Sequence, residues 1–358
     1  MPKNLPDSSY LKGRGAQIHT ANRFLKYQVL AEHIEGLDEP LIGDEKTEVY
    51  MDYPKSLVNK ITSPDVGMMS SANPYQGCEH GCVYCYARNT HNYYGFNAGL
   101  DFERKIMVKP TASELLRKHF NHPKYRVECI SFSGNTDCYQ PLERTYKITR
   151  SLLQTCLEYK NPVGIITKNS LLLRDLDILT ELAQLNLLRV MISVTSLREE
   201  LRSSMEPRTA TSKKRLQVIE TLAQKKVPVG VMVAPIIPGL NSDEIPDIIK
   251  AAADCGATTA GYTIVRLNGE IANIFRDWLY KNKPDAADKI WNHIEACHGG
   301  KVNDSRPGIR MRGEGKIAES IKQLFSLSVK LHLAGRSMPA QDFTLFKRPP
   351  LNGQTELF

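Results

Sequence analysis

The chain has 358 residues, 41% of them hydrophobic and 24% charged, with a formal net charge of +8. That composition supplies a full-sized core, while the longest apolar runs, such as VGVMVAPIIPGL, are too short and too broken by Pro and Gly to span a bilayer. The start MPKNLPDSSYLKGRG carries no apolar signal segment, so the expected compartment is the cytosol, where the eight cysteines stay reduced.

In chain order, residues 1–65 show weak periodicity and read as an N-terminal extension. Residues 66–282 open with a short strand and the stretch NPYQGCEHGCVYCYAR, Asn73 to Arg88. From about Val127, apolar runs of strand length (VECISFSG, VGIITKN, LLRVMISVTS, VPVGVMVAPII, TTAGYTIVRL) alternate with segments of helical period. Strands separated by helices in this way pair in parallel and are covered by them, which predicts an α/β fold. About six βα units are too few for a closed eight-unit barrel, so a partial barrel is expected. Residues 283–336 read as a C-terminal helical region, and the Pro-rich residues 337–358 as a flexible tail.

Three cysteines within eight residues of a reduced chain point to metal ligands. Structural zinc prefers four ligands in two separated pairs, and no second Cys pair follows at the usual spacing, although His80 or His91 would complete a zinc set. A 4Fe-4S cluster has four irons, so three thiolates leave one iron open to a non-protein ligand. The spacing Cys78-x3-Cys82-x2-Cys85 resembles the signature of the radical S-adenosylmethionine (SAM) superfamily. There the open iron chelates the amino and carboxylate groups of S-adenosyl-L-methionine, and reductive cleavage yields methionine and a 5'-deoxyadenosyl radical. Cys129, Cys156, Cys255 and Cys297 read as small buried apolar residues.

Within that superfamily the chain resembles the branch related to spore photoproduct lyase, which reverses a thymine dimer in DNA. The matches are CVYCYAR, SGNTDCYQPLE, IITKN, ISVTS, EPRT, VGVMVAPIIPGL and the early GRGA at Gly13 to Ala16. The resemblance implies a cofactor-binding set of Tyr86, Thr136, Asp137, Lys168 and Ser193. The last four fall at the carboxyl ends of predicted strands, where barrel enzymes assemble their sites. Gly134 stands where the lyase carries its hydrogen-donating cysteine. Cys138, Tyr84 and Tyr86 are therefore the candidate catalytic residues, as hydrogen donor or radical relays.

The expected function is radical SAM chemistry on a damaged or modified nucleic-acid base, lyase-like. The alternatives are the same chemistry on a peptide, an RNA or a metabolite, and a metal-stabilised binding module without catalysis. A flavodoxin or ferredoxin is the expected reductant. Arg198, Arg202, Arg208, Lys213, Lys214 and Arg215 are candidate phosphate clamps. The terminal QTELF, with Gln354, Leu357 and Phe358, resembles peptides that dock repair proteins on the bacterial sliding clamp.

Overall fold

The computed structural model describes residues 13–20, 47–65, 67, 69–132 and 134–349. Its main sheet runs β10-β9-β8-β7-β6-β3-β2, with β2 at Val58–Lys60, β3 at Ser70–Ala72, β6 at Ile130–Phe132, β7 at Val163–Thr167, β8 at Leu188–Ser193, β9 at Val229–Ile236 and β10 at Ala260–Ile264. The six strands from β3 to β10 pair in parallel, and β2 lies antiparallel at one edge. Helices Ala112–Asn121, Ile148–Glu158, Leu176–Gln184, Ser212–Gln224, Ile245–Asp254 and Ile271–Asn282 follow the successive parallel strands. The sheet is thus a six-unit α/β partial barrel, as the periodicity predicts. A smaller sheet, β1-β5-β4, joins β1 (Glu48–Met51), β4 (Tyr75–Gln76) and β5 (Lys105–Val108) beside it.

Burial along the strands shows why the barrel is hollow. In β7, Val163, Ile165 and Thr167 are fully buried while Gly164 and Ile166 keep some exposure; in β9, Val231 and Val233 are buried while Met232 and Ala234 keep some. Side chains alternate across a strand, so the buried set faces the helices. Ile166, Met232 and Ala234 face inward and line a cavity. The main core therefore lies between sheet and helices, with Leu152, Leu179, Ile219 and Ile249 packed against the strands' outer face.

Two features tie the barrel's ends together. The segment between helices Ala287–Cys297 and Gly315–His332 runs beside the open edge of β10, where Ile264 N donates to the Met311 carbonyl at 2.9 Å and Leu267 N to Val302 at 2.8 Å. From the opposite edge, just beyond β2, Asp65 accepts from Gly308 N and pairs with Arg310, and Ser63 accepts from Arg310. The gap left by the two missing units is bridged by these contacts.

Residues 337–349, read from the sequence as the start of a flexible tail, lie instead across the amino-terminal ends of the strands. Gln341 Nε2 donates to the carbonyls of Val163 (3.1 Å) and Leu187 (3.0 Å), and Lys347 N donates to Tyr159 at 3.0 Å. Phe346 packs on Phe120, Tyr125 and Tyr159. A strap without regular structure has no periodicity to read, but its one aromatic anchor and its hydrogen bonds to strand-start carbonyls hold it in place. The QTELF segment lies outside the described residues. Among the described residues no helix is long and apolar enough to cross a membrane.

Candidate active site

The cysteine loop begins where β4 ends and depends on two glycines. Gly77 (φ +82°) and Gly81 (φ +69°) take a left-handed backbone that side chains rarely adopt, and a Cβ on Gly81 would press on Glu103 Oε2 at 2.8 Å. The loop's backbone is satisfied from several directions. Cys78 N donates to Phe102 O (2.9 Å) and Val83 N to Met205 O (3.1 Å), while Thr136 Oγ1 donates to the Gly77 carbonyl (2.7 Å) and Arg88 Nε to the Cys82 carbonyl (2.9 Å).

Beneath the loop sits a fully buried carboxylate, Glu103. Arg88 Nη2 pairs with its Oε1 at 2.5 Å, and the amides of Gly15 and Ala16 donate to it at 3.1 and 2.7 Å. Arg14 Nη1 reaches the Glu103 carbonyl at 3.1 Å. Gly15 lies so close to the loop that a Cβ there would land on the Gly81 carbonyl oxygen. The GRGA segment is thus the underside of the cysteine loop, tied to it through one shared carboxylate.

Cys78, Cys82 and Cys85 are free thiols on the wall of one cavity of about 680 Å³, a ligand-sized volume. Burial pushes all three thiols up, so a bound metal group would have to displace their protons. Among the described residues no three His, Cys, Asp or Glu side chains close on a single-ion site. Neither imidazole completes a zinc set. His80 lies 3.0 Å from Asn169 through Nε2 and 3.4 Å from Asp137 through Nδ1, and burial lowers its pKa to about 4. His91 is enclosed by the rings of Tyr94, Phe96 and Phe102. Three thiols on one wall, with no common single-ion point, fit a cluster whose ligated irons occupy separate corners.

The other expected residues converge on the same cavity. Thr136, Asp137, Lys168, Ser193, Tyr84 and Tyr86 all line it. Several also hold the framework: Asp137 accepts from Thr167 Oγ1 (2.7 Å), Lys168 N (2.9 Å) and Tyr139 N (2.9 Å), joining two strand ends. The Tyr84 hydroxyl donates to buried Glu206. Tyr86 keeps 50% of its surface exposed, and desolvation raises its phenol pKa to about 12. Burial pushes the Lys168 ammonium down, and the nearby Cys82 opposes that. Its Nζ lies 6.0 Å from the Tyr84 ring centroid.

Two expectations are corrected. Cys138 is not on the cavity wall: it is fully buried in the main core, and its carbonyl accepts from Thr149 Oγ1 at 2.5 Å. The structure encloses that thiol among core side chains instead of presenting it to the cavity, which does not support a hydrogen-donor role. The clamp group is largely engaged within the fold. Arg215 is fully buried against Glu206, Arg202 bonds Glu199 and the Glu206 carbonyl, Arg198 is held by Glu244, and Arg208 lies 3.6 Å from Glu79. Within EPRT, Glu206 is fully buried and accepts from Arg215; of the six cations Arg198, Lys213 and Lys214 stay exposed, Arg198 while bonded to Glu244.

Sequence reasoning missed the guanidinium groups that do reach the cavity: Arg266 just after β10, and Arg310 and Arg312 from the segment beside that edge. The run RMR was their visible signal, but its location beside β10 depends on packing between distant segments.

A partial barrel with a three-thiol loop at the carboxyl ends of its strands defines a class of cluster-dependent enzymes, and the comparisons identify it. The model of the radical SAM superfamily matches residues 72–252, and the chain belongs to that superfamily. An uncharacterised protein of Mycobacterium tuberculosis is 32% identical over 238 residues, covering 66% of this chain and 70% of its own. One of Methanocaldococcus jannaschii is 25% identical over 249 residues, covering 70% and 89%. The fold is similar to that of spore photoproduct lyase complexed with dinucleoside spore photoproduct, with TM-score 0.60 and 14% identity over 80% of both chains. A spore photoproduct lyase mutant with bound AdoMet and dinucleoside spore photoproduct gives 0.58 at 16%, again over 80% of each. Superfamily membership implies both a 4Fe-4S cluster and S-adenosyl-L-methionine as cofactors.

Proposed function

We propose that this chain is a radical SAM enzyme acting on a damaged or modified nucleic-acid base, in the manner of a repair lyase. The observation that carries the reading is the convergence of Cys78, Cys82 and Cys85 with Lys168 and Ser193 on one cavity at the strands' carboxyl ends. When bound, the cluster and S-adenosyl-L-methionine supply a 5'-deoxyadenosyl radical able to take hydrogen from an unreactive carbon. Cys78, Cys82 and Cys85 would hold the cluster, with Gly77 and Gly81 shaping the loop around it. The Lys168 ammonium, partly desolvated, would pair with the cofactor's carboxylate, and the Ser193 hydroxyl would meet its ribose. Apolar walls from Ile166, Met232 and Ala234 would keep water from the reacting carbon.

With Cys138 in the core, Tyr86 becomes the wall residue best suited to return hydrogen: its phenol is in the cavity and half-exposed, whereas Tyr84's is bonded to Glu206. A base would have to leave its stack to enter, at a cost of a few kcal/mol that is smallest for a damaged base. A flavodoxin or ferredoxin donor, and clamp docking through Gln354, Leu357 and Phe358, remain parts of the proposal.

The test is anaerobic reconstitution with iron and sulfide, followed by reductant and S-adenosyl-L-methionine. Release of 5'-deoxyadenosine supports the chemistry, and its absence from a fully loaded protein sinks it. Mass spectrometry of products from ultraviolet-irradiated DNA then tests the substrate; turnover of a peptide or a free metabolite instead would replace the nucleic-acid reading.

A further inference from the structure

Charge on the cavity wall is one-sided. Asp137 is already shared among Thr167, Lys168, Tyr139 and His80, and Asp65 pairs with Arg310. Among the described residues, neither Arg266 nor Arg312 forms a close ion pair with a carboxylate, and the Asp65 that interacts with Arg266 is bonded to Arg310. Arg312 lies over the Tyr262 ring, its guanidinium carbon 4.1 Å from the centroid, which fixes its plane and leaves its edges free to donate. Arg266 is half-buried beside Arg310 and Tyr86; burial pushes its guanidinium down, Arg310 adds to the effect, and Tyr86 and Asp65 oppose it. Asp65 is engaged by Arg310, so a further anion would lower the cost of holding Arg266 and Arg312 on the same cavity wall.

We infer that Arg266 and Arg312 form an anion-binding rim that grips a backbone phosphodiester of a nucleic-acid substrate whose base enters the cavity. The inference rests on the nucleic-acid reading above and deepens it by naming the contact. Guanidinium groups suit phosphate oxygens because their fixed forks donate in pairs. Arg310, bonded to Asp65 and Ser63, and the Gly308 amide, which also donates to Asp65, hold the segment that carries Arg312 in place. Tyr86, half-exposed, also lines the cavity and stands beside Arg266, so an aromatic face for a base lies next to a donor for its phosphate. This rim lies beside β10, away from the 198–215 group that the sequence suggested. Lys168 is separate from it, near Tyr84 and Cys82.

The experiment uses the full chain, reconstituted and loaded with S-adenosyl-L-methionine. A fluorescent single-stranded oligonucleotide is titrated by anisotropy across a range of salt. Arg266→Gln and Arg312→Gln should each weaken binding about 3- to 10-fold and lower the slope of log affinity against log salt by about 0.7. Arg266→Lys should keep the slope, which guards against a folding artefact, and an uncharged methylphosphonate analogue should bind weakly and ignore all three substitutions. If the wild type binds the oligonucleotide but both Gln variants keep its slope, this rim is wrong and the nucleic-acid reading survives. If the wild type binds neither DNA nor RNA, both fall. Equal retention of polyglutamate, with the same dependence on Arg266, would overturn the phosphodiester assignment. Loss of S-adenosyl-L-methionine in equilibrium dialysis of Arg266→Gln would reassign that guanidinium to the cofactor.

Discussion

The two rims of the cavity are built on opposite principles. Around the cysteine loop, the buried guanidinium groups are matched within the fold: Arg88 and the amides of Gly15 and Ala16 converge on Glu103, and Arg215 on Glu206. Around the β10 edge, Arg266 and Arg312 face the cavity without a carboxylate of their own. A loop that must hold three thiols in fixed places needs a backbone with no alternative arrangement, and a shared buried carboxylate supplies that. A surface that must accept and release a charged ligand needs its counter-charge to come from outside. Changes to the first rim should therefore cost structure, and changes to the second should cost binding.

The sharpest break is at the thiols. Cys78→Ala, Cys82→Ala or Cys85→Ala should each abolish the brown absorbance of the reconstituted protein and all 5'-deoxyadenosine release. A chelator that strips the iron from the wild type should do the same. A variant that keeps both signals would remove the cluster assignment.

Next in size is the underside of the loop. Glu103→Leu leaves the fully buried Arg88 without its partner, and breaking such a pair costs about 3–5 kcal/mol. Gly15→Ala forces the GRGA segment off the Gly81 carbonyl and should cost on the order of 3 kcal/mol. Denaturant melts and iron content per chain should fall together in both variants. If iron content stays at the wild-type level while stability falls, GRGA supports the fold generally and not the loop.

A smaller effect is expected at the far end of the barrel. Phe346→Ala removes a partly buried ring from the cluster of Phe120, Tyr125 and Tyr159, and should cost about 2–3 kcal/mol with no change in iron content. Thermal melting against iron titration separates this from the loop variants. The smallest effect belongs to Lys213→Gln and Lys214→Gln, exposed at a helix start, which should shift stability by less than about 0.5 kcal/mol and leave the salt slope for oligonucleotide binding unchanged. A drop in slope there would move the phosphate contact away from β10.

These contrasts follow what could be read from the residues alone. The βα period was legible because parallel strands and their helices alternate locally, and the three thiols because their spacing is local too. Thr136, Asp137, Lys168 and Ser193 were legible as a group because each follows a strand, so one topological rule brings them together. Cys138 was misplaced because a residue one step beyond Asp137 turns into the core, and strand-end position alone does not say which way a side chain points. Arg198, Arg208 and Arg215 were misread because the carboxylates that engage them, Glu244, Glu79 and Glu206, are brought to them by the fold. Arg266 and Arg312 were missed for the converse reason: their place on the cavity depends on a non-regular segment pairing with β10.

The strap of residues 337–349 has a consequence for how the protein is made. Chains emerge from the ribosome amino terminus first, and domains begin to fold in that order. Here the strand-start carbonyls of Val163 and Leu187 wait for Gln341, among the last described residues to be synthesised. The barrel's floor is therefore sealed only after residue 341 has been made, and a nascent chain stalled before residue 337 would hold every thiol of the cluster loop while still lacking that seal.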